Sequence, residues 1–311
     1  MNIVVMGAGS LGGFYGALLA RAGNDVTFVA RGKTLEALRT NGLTVNSKLA
    51  GVFTIPVTAT DDIASLSPPD LIFLSVKAYD LEAAAQAIAP LVGRHTTVLT
   101  VQNGIDHPRR IARHIEQPRI VPGVVYVSAN VSEPGVIDQV GGPGRVLIGE
   151  LAGPISARTE SIRDVFSAAG IPTEIFDDIW TPLWEKFMAI CAMSGVSALT
   201  RLTLQQIFNC TESRTLYRDI MAEVLSLARA SSVDLPESAA DDFLTMMLAM
   251  PELPLRGSMA YDLLAGRRLE VDTLNGTVVR MGEELGVPTP MNKAVFAALK
   301  PFAGGPPASR S

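Results

Sequence analysis

Up to about residue 176, short apolar runs alternate with stretches of helical periodicity; beyond it the helical pattern takes over almost completely. The first run, Ile3-Val4-Val5-Met6, has no polar interruption and is followed by a helical segment over residues 11–22. Further β-branched runs at residues 25–30, 71–76, 97–101 and 120–127 are bounded by Pro, Gly or Asn, the punctuation of strands buried on both faces. Strands spaced by helices predict a parallel sheet with crossover connections. Residues 41–57, around Lys48-Leu49-Ala50-Gly51, read as a hairpin added to this sheet. A second pair, 136–140 and 146–148, reads as another hairpin around Gly141-Gly142-Pro143-Gly144.

The later pattern predicts helices over residues 180–198, 204–230, 239–250 and 269–285. The expected fold is therefore α/β: a Rossmann-type doubly wound sheet over residues 1–176, followed by an all-α domain over 177–311. Residues 304–311, rich in Gly, Pro and Ser, are expected to be a disordered tail. Met246, Met247, Leu248 and Met250 are read as core, with a homodimer face as the alternative.

A length of 311 residues suits two domains. Charged residues make up 18% and hydrophobic ones 48%, which excludes a disordered chain. The net charge of −5, without runs of one sign, removes nucleic acid as a partner. Cys191 and Cys210 form no metal-binding spacing with any His, so both are expected to be reduced core residues and no metal is expected. The N-terminus lacks a signal-peptide pattern, and there is no uninterrupted apolar stretch of about 18 residues. A cytoplasmic, non-membrane protein follows as the expectation.

Candidate chemistry begins at Gly7-Ala8-Gly9-Ser10-Leu11-Gly12, placed directly after a strand and at the opening of a helix. That context makes Gly-x-Gly-x-x-Gly a dinucleotide fingerprint, with backbone N–H groups and a helix N-terminus facing a pyrophosphate. An NAD site normally carries Asp or Glu at the end of the second strand. This strand ends Phe28-Val29-Ala30-Arg31, and a guanidinium there suits a 2′-phosphate, so NADP(H) is the expected cofactor. Lys33 is placed to assist. Lys77 and Gln102-Asn103-Gly104 follow two later strands, where side chains reach ribose, nicotinamide or substrate. The three histidines have no matched carboxylate, so no His–Asp proton relay is expected. Lys186 interrupts an otherwise apolar helix, as either an ammonium with a partner or a snorkelling lysine at the core's edge.

These motifs, together with Ser75-Val76-Lys77, Trp184-Glu185-Lys186, Gly257-Ser258-Met259 and Leu269-Glu270-Val271-Asp272-Thr273-Leu274-Asn275-Gly276, resemble the ketopantoate reductase (2-dehydropantoate 2-reductase) family over nearly the whole chain. The resemblance implies NADPH-dependent reduction of a 2-oxo acid, ketopantoate to pantoate, in pantothenate and coenzyme A precursor biosynthesis. It implies Lys186 as the catalytic lysine. Asn103, Ser258 and Ser194 become substrate-side residues. Asn103, Lys77 and Glu270 join Gly7, Ala8, Gly9, Ser10, Leu11, Gly12 and Arg31 on the cofactor. Well-described members carry asparagines one and two helical turns after that lysine, where this chain has Ile190 and Ser194. An apolar Ile190 removes a polar contact to the substrate. The alternatives are a reductase of a different 2-oxo acid and a non-catalytic NADP(H)-binding redox sensor.

Overall fold

A computed structural model of the chain describes residues 1–250, 252 and 254–307. It divides into two compact units, Met1–Gln102 with His107–Ile179, and Asn103–Asp106 with Trp180–Ser311. The short loop Asn103–Asp106 thus belongs with the helical unit although it follows a strand of the sheet.

In the first unit the order is β1 (Asn2–Met6), α1 (Ser10–Arg21), β2 (Asp25–Val29), α2 (Gly32–Asn41), β3 (Leu43–Ser47), β4 (Gly51–Ile55), β5 (Thr58–Thr60), β6 (Leu71–Leu74) and α3 (Leu81–Ile88). It continues through β7 (Thr97–Thr100), α4 (His107–Ile111), β8 (Ile120–Glu133), β9 (Val136–Ile148), α5 (Ala157–Ala168) and β10 (Thr173–Ile175). The strands form one sheet in the order β4-β3-β9-β8-β7-β6-β1-β2-β5, with β10 beside β9. From β8 to β5 every pairing is parallel, whereas β8–β9 and β3–β4 are antiparallel.

Alternation along β1 explains the apolar run. Ile3 and Val5 enter a core with Phe14, Phe73 and Phe166, while Val4 and Met6 enter a second core with Leu81, Ile88 and Ile111 on the opposite face. A strand covered on both sides can afford no polar residue. Parallel pairing brings the C-terminal ends of β1, β2, β6 and β7 to one edge of the sheet.

The hairpin expected around Gly141–Gly144 does not form. Strand β9 runs through these residues, and the β8–β9 pairing shifts register between Tyr126 and Ala129. Gly142 and Gly144 take positive φ (76° and 69°), so the extra residues are absorbed as a bulge, and the hairpin turn lies at Pro134-Gly135.

The second unit contains α6 (Trp180–Thr200), α7 (Leu204–Asn209), α8 (Thr211–Ala230), α9 (Ala239–Leu248), α10 (Ser258–Leu264), α11 (Asn275–Leu285) and α12 (Pro290–Leu299). Helix α6 is buried along most of its length and packs against α8, α10 and α12. The helix expected over residues 204–230 breaks at Cys210, which is extended (φ −106°, ψ 124°). Ser213 Oγ donates to the Ile207 carbonyl at 2.6 Å and Arg214 to that of Phe208, so side chains satisfy the end of α7. Cys210 is consequently exposed rather than core, while Cys191 is buried and both are free. Helix α11 likewise starts only at Asn275, because Thr273 bonds back to the Glu270 carbonyl and closes a turn there.

Helix α9 packs through Ala240, Leu244 and Met247, spaced by four and three residues. Met246, Leu248 and Met250 leave that face and are 50%, 47% and 42% exposed, so the core reading fails for them. Of the tail, Gly304–Pro307 lies in a bend where the Gly305 N–H donates to Phe302. Residues 308–311 lie outside the described residues. Among the described residues no helix is long and apolar enough to cross a membrane.

Candidate active site

Two groups of candidate residues emerge, one in each unit. In the first, the turn between β1 and α1 is shaped by close approach. Gly7 adopts φ +103°, and the Ser75 hydroxyl donates to its carbonyl at 2.9 Å. A Cβ on Gly12 would lie 2.1 Å from the Gly7 oxygen and 2.4 Å from Ser75 Oγ, so only glycine fits. Gly9 differs, since a Cβ there would meet nothing within 4 Å. Helix α1 begins at Ser10 with no side-chain cap and no acidic residue in its first turn. Its leading N–H groups thus adjoin open space, which fits a phosphate that replaces the missing cap. Ala8 and Leu11, partly buried, pack against the core.

Arg31 stands two residues past β2, as the exposed N-cap of α2. The first turn of α2 holds no carboxylate, and among the described residues Arg31 forms no ion pair. Lys77, partly exposed, follows β6 and accepts the Asp80 N–H at its carbonyl. Both cations therefore occupy the strand-end edge that carries the glycine turn.

In the second unit, Lys186 of α6 retains some surface yet is densely surrounded by protein. Burial lowers its pKa to about 8, and the nearby Glu270 carboxylate opposes that fall. Glu270 is 7% exposed. Its carbonyl accepts the N–H groups of Thr273 and Leu274 at 3.1 Å each and the Thr273 hydroxyl at 2.9 Å, which fixes the segment's backbone. The loop bearing Asn103 packs on the same turn, because a Cβ on Gly104 (φ +105°) would lie 3.2 Å from the Thr273 oxygen. Asn103, Lys186 and Glu270 thus share one structural neighbourhood.

Ser258 is exposed at the first residue of α10. The preceding Gly257 lies so close to α6 that a Cβ would sit 2.7 Å from Ser194 Cα. Ser194 itself is fully buried, and its hydroxyl has no hydrogen-bond partner. The accessible side chain on that turn belongs to Met193.

Residues 3–153 match the family described as "Ketopantoate reductase PanE/ApbA", and residues 178–303 match its C-terminal counterpart. The chain belongs to the ketopantoate reductase family of oxidoreductases. A 2-dehydropantoate 2-reductase of Mesorhizobium japonicum is 32% identical over 97% of the chain and 98% of its own length. The crystal structure of a PanE/ApbA family ketopantoate reductase from Ralstonia eutropha JMP134 has a TM-score of 0.89 at 32% identity, covering 97% of this chain and 98% of that one. A D-mandelate dehydrogenase, solved with NADH and anilino(oxo)acetate, shares the fold with a TM-score of 0.89 at 23% identity, covering 96% of this chain and 97% of that one.

Sequence reasoning missed the groups that hold these candidate residues in place. Gln102, buried at the end of β7, donates to the carbonyls of Leu74 (2.9 Å) and Val76 (3.2 Å) and accepts from Thr100, whose hydroxyl also meets His107 Nδ1 at 3.0 Å. This pins the stem of the Asn103 loop to the end of β6. Asn275 donates to the Cys191 carbonyl (3.3 Å) and to Asn292 (2.9 Å), and Asn292 donates to Glu223 (2.7 Å). Glu223 also accepts the N–H groups of Met291 and Asn292 at the start of α12, where a carboxylate complements the helix dipole. Helices α8, α11 and α12 are thereby locked around α6. The apolar flanks of Gln102 and the Leu-Asn-Gly triplet were the available signals, but neither names a partner. Among the described residues no group of His, Cys, Asp or Glu is placed to hold a metal.

Proposed function

We propose that this chain catalyses the NADPH-dependent reduction of a 2-oxo acid to its 2-hydroxy acid, with 2-dehydropantoate, the substrate in its relatives' names, as the leading candidate in pantothenate biosynthesis. The reading rests on one observation above the others, an α6 ammonium with a pKa of about 8 beside a buried carboxylate. Bound NADPH supplies the hydride for the substrate carbonyl carbon. Lys186 donates a proton to the carbonyl oxygen, and before that its charge offsets the negative charge developing there. A pKa close to working pH suits a group that must release a proton and recover it in each cycle.

Asn103 donates from its amide to the substrate, and Ser258 donates its exposed hydroxyl to the substrate carboxylate. Ser194, expected on the substrate side, is fully buried and takes no substrate contact in this reading. Glu270 keeps Lys186 charged and orients the cofactor ribose. Gly7, Ala8, Gly9, Ser10, Leu11 and Gly12 supply backbone donors for the pyrophosphate, Arg31 takes the 2′-phosphate, and Lys77 supports the ribose. Two free cysteines suit a reducing cytoplasmic compartment.

The test is oxidation of NADPH by the purified protein with 2-dehydropantoate and a panel of other 2-oxo acids, with NADH alongside. Turnover of at least one 2-oxo acid is expected. Tight NADPH binding without turnover of any of them would replace this reading with the redox sensor.

A further inference from the structure

We propose that this reductase accepts 2-oxo acids with an apolar, non-hydroxylated side chain at least as well as 2-dehydropantoate, and that Ile190 and Met193 are the residues that receive that side chain. The inference rests on the reaction proposed above and names its substrate class.

The accessible surface of α6 carries the argument. Between Pro182 and Ala198 every residue is buried except Glu185, Lys186, Ile190 and Met193. Lys186, Ile190 and Met193 are spaced by four and three residues, so they lie along one face of the helix. An ammonium stands at one end of this stripe, and two aliphatic side chains continue it. At a rise of about 1.5 Å per residue, Ile190 lies roughly 6 Å and Met193 roughly 10 Å further along the axis from Lys186. A substrate whose carbonyl meets Lys186 and whose side chain runs along this face would have its first carbons against Ile190. A longer branch or a ring would reach Met193, a flexible residue that adapts to varied shapes.

Beyond the Lys186 ammonium, the stripe provides nothing that pairs with a substrate hydroxyl. Ser194, one helical turn after Ile190, is fully buried with Gly257 against its backbone. Its hydroxyl is therefore withdrawn from the accessible face. A site that pairs a substrate hydroxyl rejects the analogue lacking it by about 10⁴-fold or more, whereas an apolar wall discriminates against an added hydroxyl by only about 10²-fold. The Lys186–Ile190–Met193 face is of the second kind.

The test compares 2-dehydropantoate with 3,3-dimethyl-2-oxobutanoate, which differs from it by the single hydroxyl, in NADPH-oxidation assays of the full-length enzyme. Each turnover consumes one NADPH and one proton and yields the 2-hydroxy acid and NADP⁺. The expected result is a kcat/KM for the deoxy compound equal to or above that for 2-dehydropantoate. Ile190→Asn should shift the ratio toward 2-dehydropantoate by about ten-fold or more, while Ile190→Ala, smaller but still apolar, should not. A wild-type preference for 2-dehydropantoate above about ten-fold would overturn the inference while leaving the reaction standing, and this ratio needs no variant to fold. Failure to reduce any 2-oxo acid would overturn the reaction and the inference together.

Discussion

Burial drives the pKa of Lys186 down and Glu270 holds part of it back, leaving the ammonium at about 8. If this ammonium is the proton donor, reduction requires its protonated form. Turnover should then fall as pH rises through about 8. Replacing Glu270 with Gln removes the charge that favours the ammonium, so the falling limb of the kcat profile should move to lower pH. A limb that stays in place in Glu270→Gln would show that the group seen in the profile is not Lys186.

The same balance has a consequence for stability. A lysine whose pKa is lower in the folded chain than in the unfolded one binds fewer protons when folded, between about 8 and its ordinary 10.5. Stability contributed through this group therefore rises with pH across that window, and the cost of burying the charge is fully present below it. That cost is on the order of 3 kcal/mol. Lys186→Met keeps the apolar stem and removes the charge. The difference in unfolding free energy between Lys186→Met and wild type should be constant below about pH 8 and should shift in favour of wild type toward pH 10. Paired denaturant titrations at several pH values measure it, and a difference independent of pH would refute the buried-ammonium account.

Much of this was legible from periodicity, because a strand covered on both faces, such as Ile3-Val4-Val5-Met6, and a glycine turn at its end are local signals. Exposure at helix edges was less legible. The apolar residues 246 and 248 lie on, and 250 just beyond, a helix whose buried residues are 240, 244 and 247, and the four-residue window around them looks like core. The bulge at Gly141–Gly144 and the break at Cys210 both depended on partners elsewhere: the register of β8 in one case, the side chains of Ser213 and Arg214 in the other. At the site, Lys186 stood out because it interrupts an apolar helix. That Ser194 is sealed reflects how closely Gly257 packs on α6, a tertiary fact with no trace in spacing.

The two glycines of the nucleotide turn should respond differently to the same substitution. Gly12→Ala forces a carbon to within 2.1 Å of the Gly7 oxygen, so it should destabilise the first unit by about 3 kcal/mol, the upper end for overpacking. Gly9→Ala places its methyl group where no protein atom lies within 4 Å. The folded state should tolerate it, with an unfolding midpoint near that of wild type, while NADPH affinity drops because the methyl group occupies the space proposed for the pyrophosphate. Equal losses of stability in the two variants would contradict the assignment of that space.

Arg31 allows the cofactor choice to be tested separately from the chemistry. It is exposed at the start of α2, with no acidic residue in that helix's first turn and no ion pair among the described residues. Its guanidinium is thus available for a 2′-phosphate, and NADH carries no such group. Arg31→Ala should raise KM for NADPH by about ten-fold, in line with the roughly 1.5–3 kcal/mol typical of a hydrogen bond to a charged group, and should leave KM for NADH nearly unchanged. Arg31→Lys should recover only part of the loss, since an ammonium cannot reproduce the two-point contact of a guanidinium. Because Arg31 lies in the first unit and Lys186 in the second, kcat at saturating NADPH should stay within about two-fold of wild type. An equal rise in KM for both cofactors would assign Arg31 to the shared part of the dinucleotide and remove the basis for preferring NADPH.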